Sequence, residues 1–340
     1  MLENQLSRYG AISRLIPDLA PGAKLFIVSD SDDTTVGPLN IGAEFPVDKS
    51  GVARVYTTIQ AAVNAASANR GDVVVVLPGY DQTLGRADSW ATAGVTVLGM
   101  GRGTMRPTLR YTSIGDEVGI AANNVRVSNL RFLAAGDSVA RALDLDTGFQ
   151  GAVIDNCFFD FNATTNNFKV MLRAGQARSV IENNEFRAED TAGAGKGVEL
   201  LGGHPDFTKI RRNFFYGQFD TNGDSAVENA GAIAFAISHD SSDTIITGME
   251  IAENTIVSTD TAAALLIMLT PTAVTYKTAG VVRDNRFISY DTLSSADTAQ
   301  VNFGNTGGFL PINNLFISGD SDIPEVIIGR QAKFIGLQDS

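Results

Sequence analysis

Hydrophobic and polar positions along the chain recur in one fixed phrase. Segments 125–132, 152–159, 179–186, 208–215, 249–256, 280–287 and 309–316 align without gaps. Six hold a β-branched residue five places before the end: Val127, Ile154, Ile181, Ile210, Ile251 and Val282. The seventh has Pro311 there. The last place is an apolar anchor: Phe132, Phe159, Phe186, Phe215, Ile256, Phe287 and Phe316. Anchors follow one another at steps of 27, 27, 29, 41, 31 and 29 residues. Two places before the anchor the column reads Leu130, Cys157, Asn184, Asn213, Asn254, Asn285 and Asn314; one place earlier still stand Asn129, Asn156 and Asn183. Asn tolerates the left-handed backbone, and its amide both donates and accepts. A column of five predicts a stack of amides bonded to each other and to neighbouring turns.

A second set of short apolar stretches lies between these phrases, at 142–146, 168–172, 197–201, 232–237, 264–269 and 300–303. Each cycle therefore has at least two short strands joined by Gly, Asp and Asn. Parallel strands in an open sheet need crossovers of a dozen or more residues, usually helical. The links 133–141 and 159–167 are too short and too polar for that. The pattern predicts a coil whose turns stack in parallel register, each burying its apolar face against its neighbours. At about 4.8 Å per turn, some ten turns make a rod on the order of 50 Å.

Upstream, 72–77 and 94–98 read as irregular first turns. Ile59, Ala62, Val63 and Ala66 fall at helical spacing behind Thr57 or Thr58, either of which suits an N-cap. A helix there would cover the open end of the coil, where strand edges are otherwise exposed. Residues 1–50 do not repeat; they hold a strand at 25–29 and an acidic turn at 30–33. The chain thus divides into an N-terminal arm or attachment subdomain (1–50), the coil (51–317) and a C-terminal tail (318–340). The long step of 41 residues marks an insertion around 217–230.

The stretch from Tyr56 through the helix, then Gly71-Asp-Val-Val-Val-Val-Leu-Pro-Gly and Gly94-Val-Thr-Val-Leu-Gly-Met-Gly, resembles the start of pectin-lyase-like right-handed parallel β-helix proteins. The later Ile-x-x-Asn-x-Phe phrases match the same superfamily, and the resemblance covers roughly 50–317. Within it the chain is most similar in style to β-helix proteins of tailed-phage virions, both head decoration proteins and tailspikes. The fold class this implies is all-β, a right-handed single-stranded parallel β-helix with a short N-terminal capping helix.

Composition narrows the chemistry. The 340 residues carry 26 Lys and Arg against 38 Asp and Glu, a net charge of −12. That argues against non-specific binding to nucleic acid or an anionic membrane. One cysteine, Cys157, cannot form an internal disulfide, and two histidines, His204 and His239, leave no His/Cys zinc cluster. The longest apolar run, 262–269, has eight residues, far short of a membrane helix. The first residues, Met-Leu-Glu-Asn-Gln-Leu-Ser-Arg, do not read as a secretory signal, so the expected place of synthesis is a cytoplasm. No cofactor motif is present and none is expected: Gly99–Gly103 lacks the helix of a dinucleotide loop.

Polysaccharide cleavage, common in the superfamily, needs paired carboxylates or an acid with a base. Asp144 and Asp146 lie two apart on one strand, hence on one face. Asp155 and Glu182 occupy equivalent places in adjacent turns, with Arg211 one turn on. That column is either a catalytic set or a charged stripe keeping an exposed face soluble. Arg106-Pro-Thr-Leu-Arg110 only approximates the Arg-x-Pro-x-x-Arg of pectate lyases. Asp220-x-Asn222-x-Asp224 starts like a calcium loop but has Ser225 and Gly231 where Gly and Glu belong. Trp90 is the only tryptophan and the phenylalanines fill the anchor column, which leaves few aromatic platforms for sugar rings. The sequence therefore leads to a non-enzymatic tailed-phage virion protein, a capsid decoration or cement protein. The expected partners are the major capsid protein or other virion proteins, the expected assembly a homotrimer. The alternatives are a tailspike-type depolymerase of a host-surface glycan and a glycan-binding adhesin without turnover.

Overall fold

The computed structural model describes residues 22–29, 54–85, 87–161, 166–188, 196–200, 205–217, 219, 237–239, 247–258, 267–269, 279–289, 301–302 and 308–318. Much of 1–50, the tail beyond 318, His204 and the Asp220–Asp224 segment lie outside them.

Each aligned phrase is two strands. In one cycle Val153–Asp155 ends, Asn156 turns the backbone, Cys157 follows, and Phe158–Phe161 begins on a new sheet, followed by Phe168–Ala174 on a third. The turning residue takes the left-handed backbone in every copy: Asn129, Asn156, Asn183, Arg212, Glu253, Asp284 and Asn313, with φ between 50 and 57°. Its N–H donates to the carbonyl one turn on, as from Asn129 to Asp155 at 3.1 Å and from Arg212 to Ala252 at 3.0 Å. The amide column thus comes one residue after the left-handed position, not on it. A cycle holds three strands, in keeping with the at least two that the apolar pattern predicts, because a single left-handed residue divides an otherwise continuous apolar phrase.

Among the described residues three parallel sheets result: sheet A with 11 strands, sheet B with 9 and sheet C with 8. Neighbours within each sheet come from successive turns, so the chain is a parallel β-solenoid. The second set of apolar stretches overlaps sheet C, in Val139–Leu145, Phe168–Ala174, Lys196–Leu200, Ile267–Leu269 and Val301–Asn302; the strand Ile237–His239 shares only Ile237 with the stretch 232–237, whose other residues lie outside the described ones. The strand Leu25–Val28 inserts between Val55–Tyr56 and Val73–Val76, so this part of the first 50 residues belongs to sheet A.

The interior is built in columns. Phe132, Phe159, Phe186 and Phe215 stack with centroids 4.9, 4.6 and 4.6 Å apart and planes within 15°. Ile256 and Phe287 continue the buried column, and Phe316 follows Phe287 in register. Beside it the amides form a chain: Asn184 donates from its backbone N and its Nδ2 to Asn213 Oδ1 (2.9 and 3.1 Å). Asn213 does the same to Asn254, Asn254 to Asn285, and Asn285 to Asn314. Each Nδ2 also donates to a carbonyl of the preceding turn, such as Ile154 or Ile181, at 2.9 Å. Cys157 stands at the head of the column, its N–H donating to Asn184 Oδ1 at 2.8 Å. Burial pushes its thiol up to about 12, so it stays protonated and inert.

Among the described residues the one α-helix is Ile59–Ala65. Thr58 caps it, its Oγ1 accepting from Ala61 N at 3.2 Å. Ile59, Ala62 and Val63 bury into the first turn. The buried Asp72 carboxylate accepts from Lys24 N and Ser67 N, both at 2.8 Å, and from Arg70. It thereby ties the first strand and the end of the helix to the coil. Gly217 marks a tight passage between turns: its φ is +114° and a Cβ there would meet Ala188 O at 2.1 Å.

Candidate functional site

The acidic column sits on the outer face of sheet A, where Ser128, Asp155, Glu182 and Arg211 follow one another in register. Asp155 is buried and takes four donors: Arg126 Nε and Nη2 (2.8 and 3.0 Å), Ser128 Oγ (3.0 Å) and Asn156 Nδ2 (2.6 Å). Glu182 accepts from Arg211 Nε at 2.7 Å and from Arg212. The structure does bring Asp155, Glu182 and Arg211 together, as a ladder of ion pairs. A proton-transferring carboxylate needs a lone pair facing its substrate. The Asp155 oxygens are already committed to protein donors.

Asp144, Arg141 and Arg173 lie on sheet C, with Asp146 just past the strand Val139–Leu145 and Glu117 just before Val118–Ile120. Asp144 is buried and accepts from Arg173 Nε at 2.8 Å, with Arg141 Nη1 at 3.5 Å. Arg141 also holds Glu117 at 2.8 Å. Asp146 receives no hydrogen bond or ion pair at its carboxylate among the described residues. It packs over Gly119, where a Cβ would stand 3.4 Å from Oδ2. Burial first, and then the Asp144 charge, push its carboxyl above the usual aspartate range against the pull of Arg173. One carboxylate gripped by guanidinium and a neighbour pushed toward the neutral form is an arrangement able to donate a proton.

The sign of that shift has a stability consequence. A carboxyl whose folded pKa is raised binds its proton more tightly when folded, so the fold loses stability as pH rises through the interval between unfolded and folded values. Asp146→Asn removes the penalty. Its melting temperature is expected above wild type at pH 7, the gap closing as pH falls toward the unfolded aspartate value near 3.9. Equal melting curves at both pH values would contradict the desolvated placement of Asp146.

The outer face of sheet B carries what the sequence reading missed. Strand alternation that points each anchor Phe inward points its neighbours outward. One outer column runs Arg131, Phe158, Glu185, Phe214; the next runs Leu133, Asp160, Arg187, Tyr216. Phe214 is 38% exposed and Tyr216 42%, their rings 6.3 Å apart and 17° from parallel. Phe158 is half-buried, with Arg106, Arg131 and Arg187 over its ring. A shallow depression lined by Asp160, Asn167, Phe168 and Arg187 borders this strip. The expectation of few aromatic platforms is therefore corrected. The signal was the residue on either side of the anchor, at 158, 214 and 216. Among the described residues no group of three His, Cys, Asp or Glu side chains could hold a metal ion. None of their helices is long and apolar enough to cross a membrane.

No family model matches the chain, and no curated protein matches it. Among solved structures, it is similar to an alginate lyase from Paenibacillus sp. str. FPU-7 at 13% identity and a TM-score of 0.48, covering 80% of this chain and 94% of that one. It is also similar to the tailspike of E. coli bacteriophage HK620 in complex with a pentasaccharide, at 14% identity and a TM-score of 0.48. That match covers 84% of this chain and 64% of the tailspike. In its own strand order and register, the chain has a parallel β-helix architecture.

Proposed function

We propose that the chain is a glycan-binding β-helix whose binding surface is the outer face of sheet B. The observation that carries this is the Phe214–Tyr216 pair, two near-parallel rings left exposed on a regular strand face. Exposed aromatic area in a patch costs solubility and marks a binding surface, and flat rings suit the apolar faces of sugars. The sequence expectation of a decoration protein rested on a complete repeat without a convincing site and on non-repeating ends; the aromatic pair on sheet B favours a ligand-facing surface instead. The similarity in style to β-helix proteins of tailed-phage virions supports a particle-borne location, with a host-surface glycan as ligand. Binding of the full chain to a panel of bacterial surface polysaccharides tests the reading. Phe214→Ala and Tyr216→Ala are each expected to weaken the best ligand by about tenfold, or about 1.4 kcal/mol. Binding unchanged in both variants would overturn it.

Asp146 favours a second reading, a depolymerase in which this carboxyl protonates the leaving oxygen beside an arginine-held Asp144. New reducing ends released from the bound polysaccharide, and lost in Asp146→Asn, would establish turnover. Saturable binding without product would leave the chain an adhesin.

A further inference from the structure

Three guanidiniums converge on one ring. Arg187, Arg131 and Arg106 lie 5.2, 5.6 and 5.8 Å from the Phe158 centroid, reaching it from three different turns. Two are compensated, Arg131 by Asp160 at 2.6 Å and Arg187 by Glu185 at 2.7 Å. Arg106 has no ion pair among the described residues. The Nε–H groups of Arg106 and Arg131 are both buried and lack a hydrogen-bond acceptor. Like charges this close repel, and a buried donor without an acceptor costs free energy. On a chain of net charge −12, this is a local surplus of cation with two unmet donors.

We infer that this cluster is the seat of an oxyanion carried by the glycan. The inference rests on the glycan-binding reading and names the ligand's class: a polysaccharide bearing carboxylate, sulfate or phosphate groups. Planar guanidiniums take such groups through paired N–H···O bonds, while the ring face stabilises the cations before the ligand arrives. The seat is continuous with the aromatic pair. Phe158 and Phe214 share one outer column two turns apart, about 10 Å at the usual strand spacing. Arg187 lies next to Tyr216 in register. A bound chain running along the rod would place a sugar ring on Phe214 and Tyr216 and its charged substituent among the arginines.

Dextran, carboxymethyl-dextran and dextran sulfate share one backbone and separate the sources of charge. The full chain is titrated against each at about 0.15 M salt. The anionic polymers are expected to bind and dextran to bind at least tenfold more weakly. Preference between the two anionic forms identifies carboxylate or sulfate as the better ligand. Arg106→Gln is expected to weaken anionic binding about tenfold, and Arg106→Lys, which keeps charge but loses the fork, by less. Arg187→Gln, at a half-exposed site, serves as the second variant should Arg106→Gln lower the melting temperature. Anionic polymers binding no tighter than dextran, or both glutamine variants binding as wild type, would overturn the seat. Should the seat fail while Phe214 and Tyr216 still govern binding to a neutral polysaccharide, the glycan reading stands. Should no polysaccharide bind at all, both fail together.

Discussion

Phe186→Ala is expected to lower the stability of the coil by about 3–5 kcal/mol, the range for removing a fully buried aromatic side chain. Phe186 has no exposed surface and is sandwiched between Phe159 and Phe215, each centroid 4.6 Å away. Its neighbours are held by strands in register on both sides, so the gap cannot close by collapse. The loss also falls between turns. A solenoid turn touches only its neighbours, and coupling between the two halves of the rod passes through each interface in series. Chemical denaturation of the variant should therefore show an earlier transition and a broader one, as the halves begin to melt separately. Phe214→Ala is the internal control. It removes the same side chain from the exposed face one turn on, beside the anchor Phe215, and should stay within about 0.5 kcal/mol of wild type. A Phe186→Ala variant as stable as the Phe214→Ala control would mean that the stacked column does not hold the rod together.

That contrast between residues on opposite faces also shows what the sequence discloses. Anchor and amide columns are legible because the interior repeats: every turn faces the same neighbours, so Phe and Asn return at one register position. The exterior has no such constraint. Phe158 and Phe214 precede an anchor, but Arg131, Glu185 and Thr255 hold the same place in other turns, and no column emerges. The third sheet was hidden differently, since a left-handed residue such as Arg212 or Glu253 carries no mark in the sequence. The acids were legible as a column but not as partners. Asp155 meets Arg126 diagonally, across strands whose register places Ser128 opposite it. Knowing which of 38 acids have a guanidinium in contact requires that register. Asp146 is legible only once Arg173 is seen to take Asp144 and leave it aside.

Asn213→Ala is expected to be nearly as damaging as the loss of Phe186, through unmet hydrogen bonds rather than lost packing. Asn213 is buried in the middle of the amide chain. Its Oδ1 accepts from the backbone N of Asn184 at 2.9 Å, and its Nδ2 donates to Ile181 O at 2.9 Å. Alanine strands both backbone groups in the interior, each at about 1–3 kcal/mol, for a total of about 2–6 kcal/mol. Asn213→Asp separates the donor from the acceptor half of the amide. The carboxylate still accepts from Asn184 but has nothing to donate to Ile181 O, and it faces Asn254 Oδ1, now 3.1 Å from Nδ2. Burial and that oxygen raise the variant carboxyl above its unfolded value, so its penalty is complete above the folded pKa and relieved as pH falls toward about 4. Once protonated, the carboxyl can donate again. Denaturation at pH 7 and near pH 4 should show the aspartate variant recovering toward wild type at the lower pH, and the alanine variant keeping its deficit at both. An alanine variant within 1 kcal/mol of wild type would show that water replaces the amide, and the column would then be a consequence of the coil rather than one of its supports.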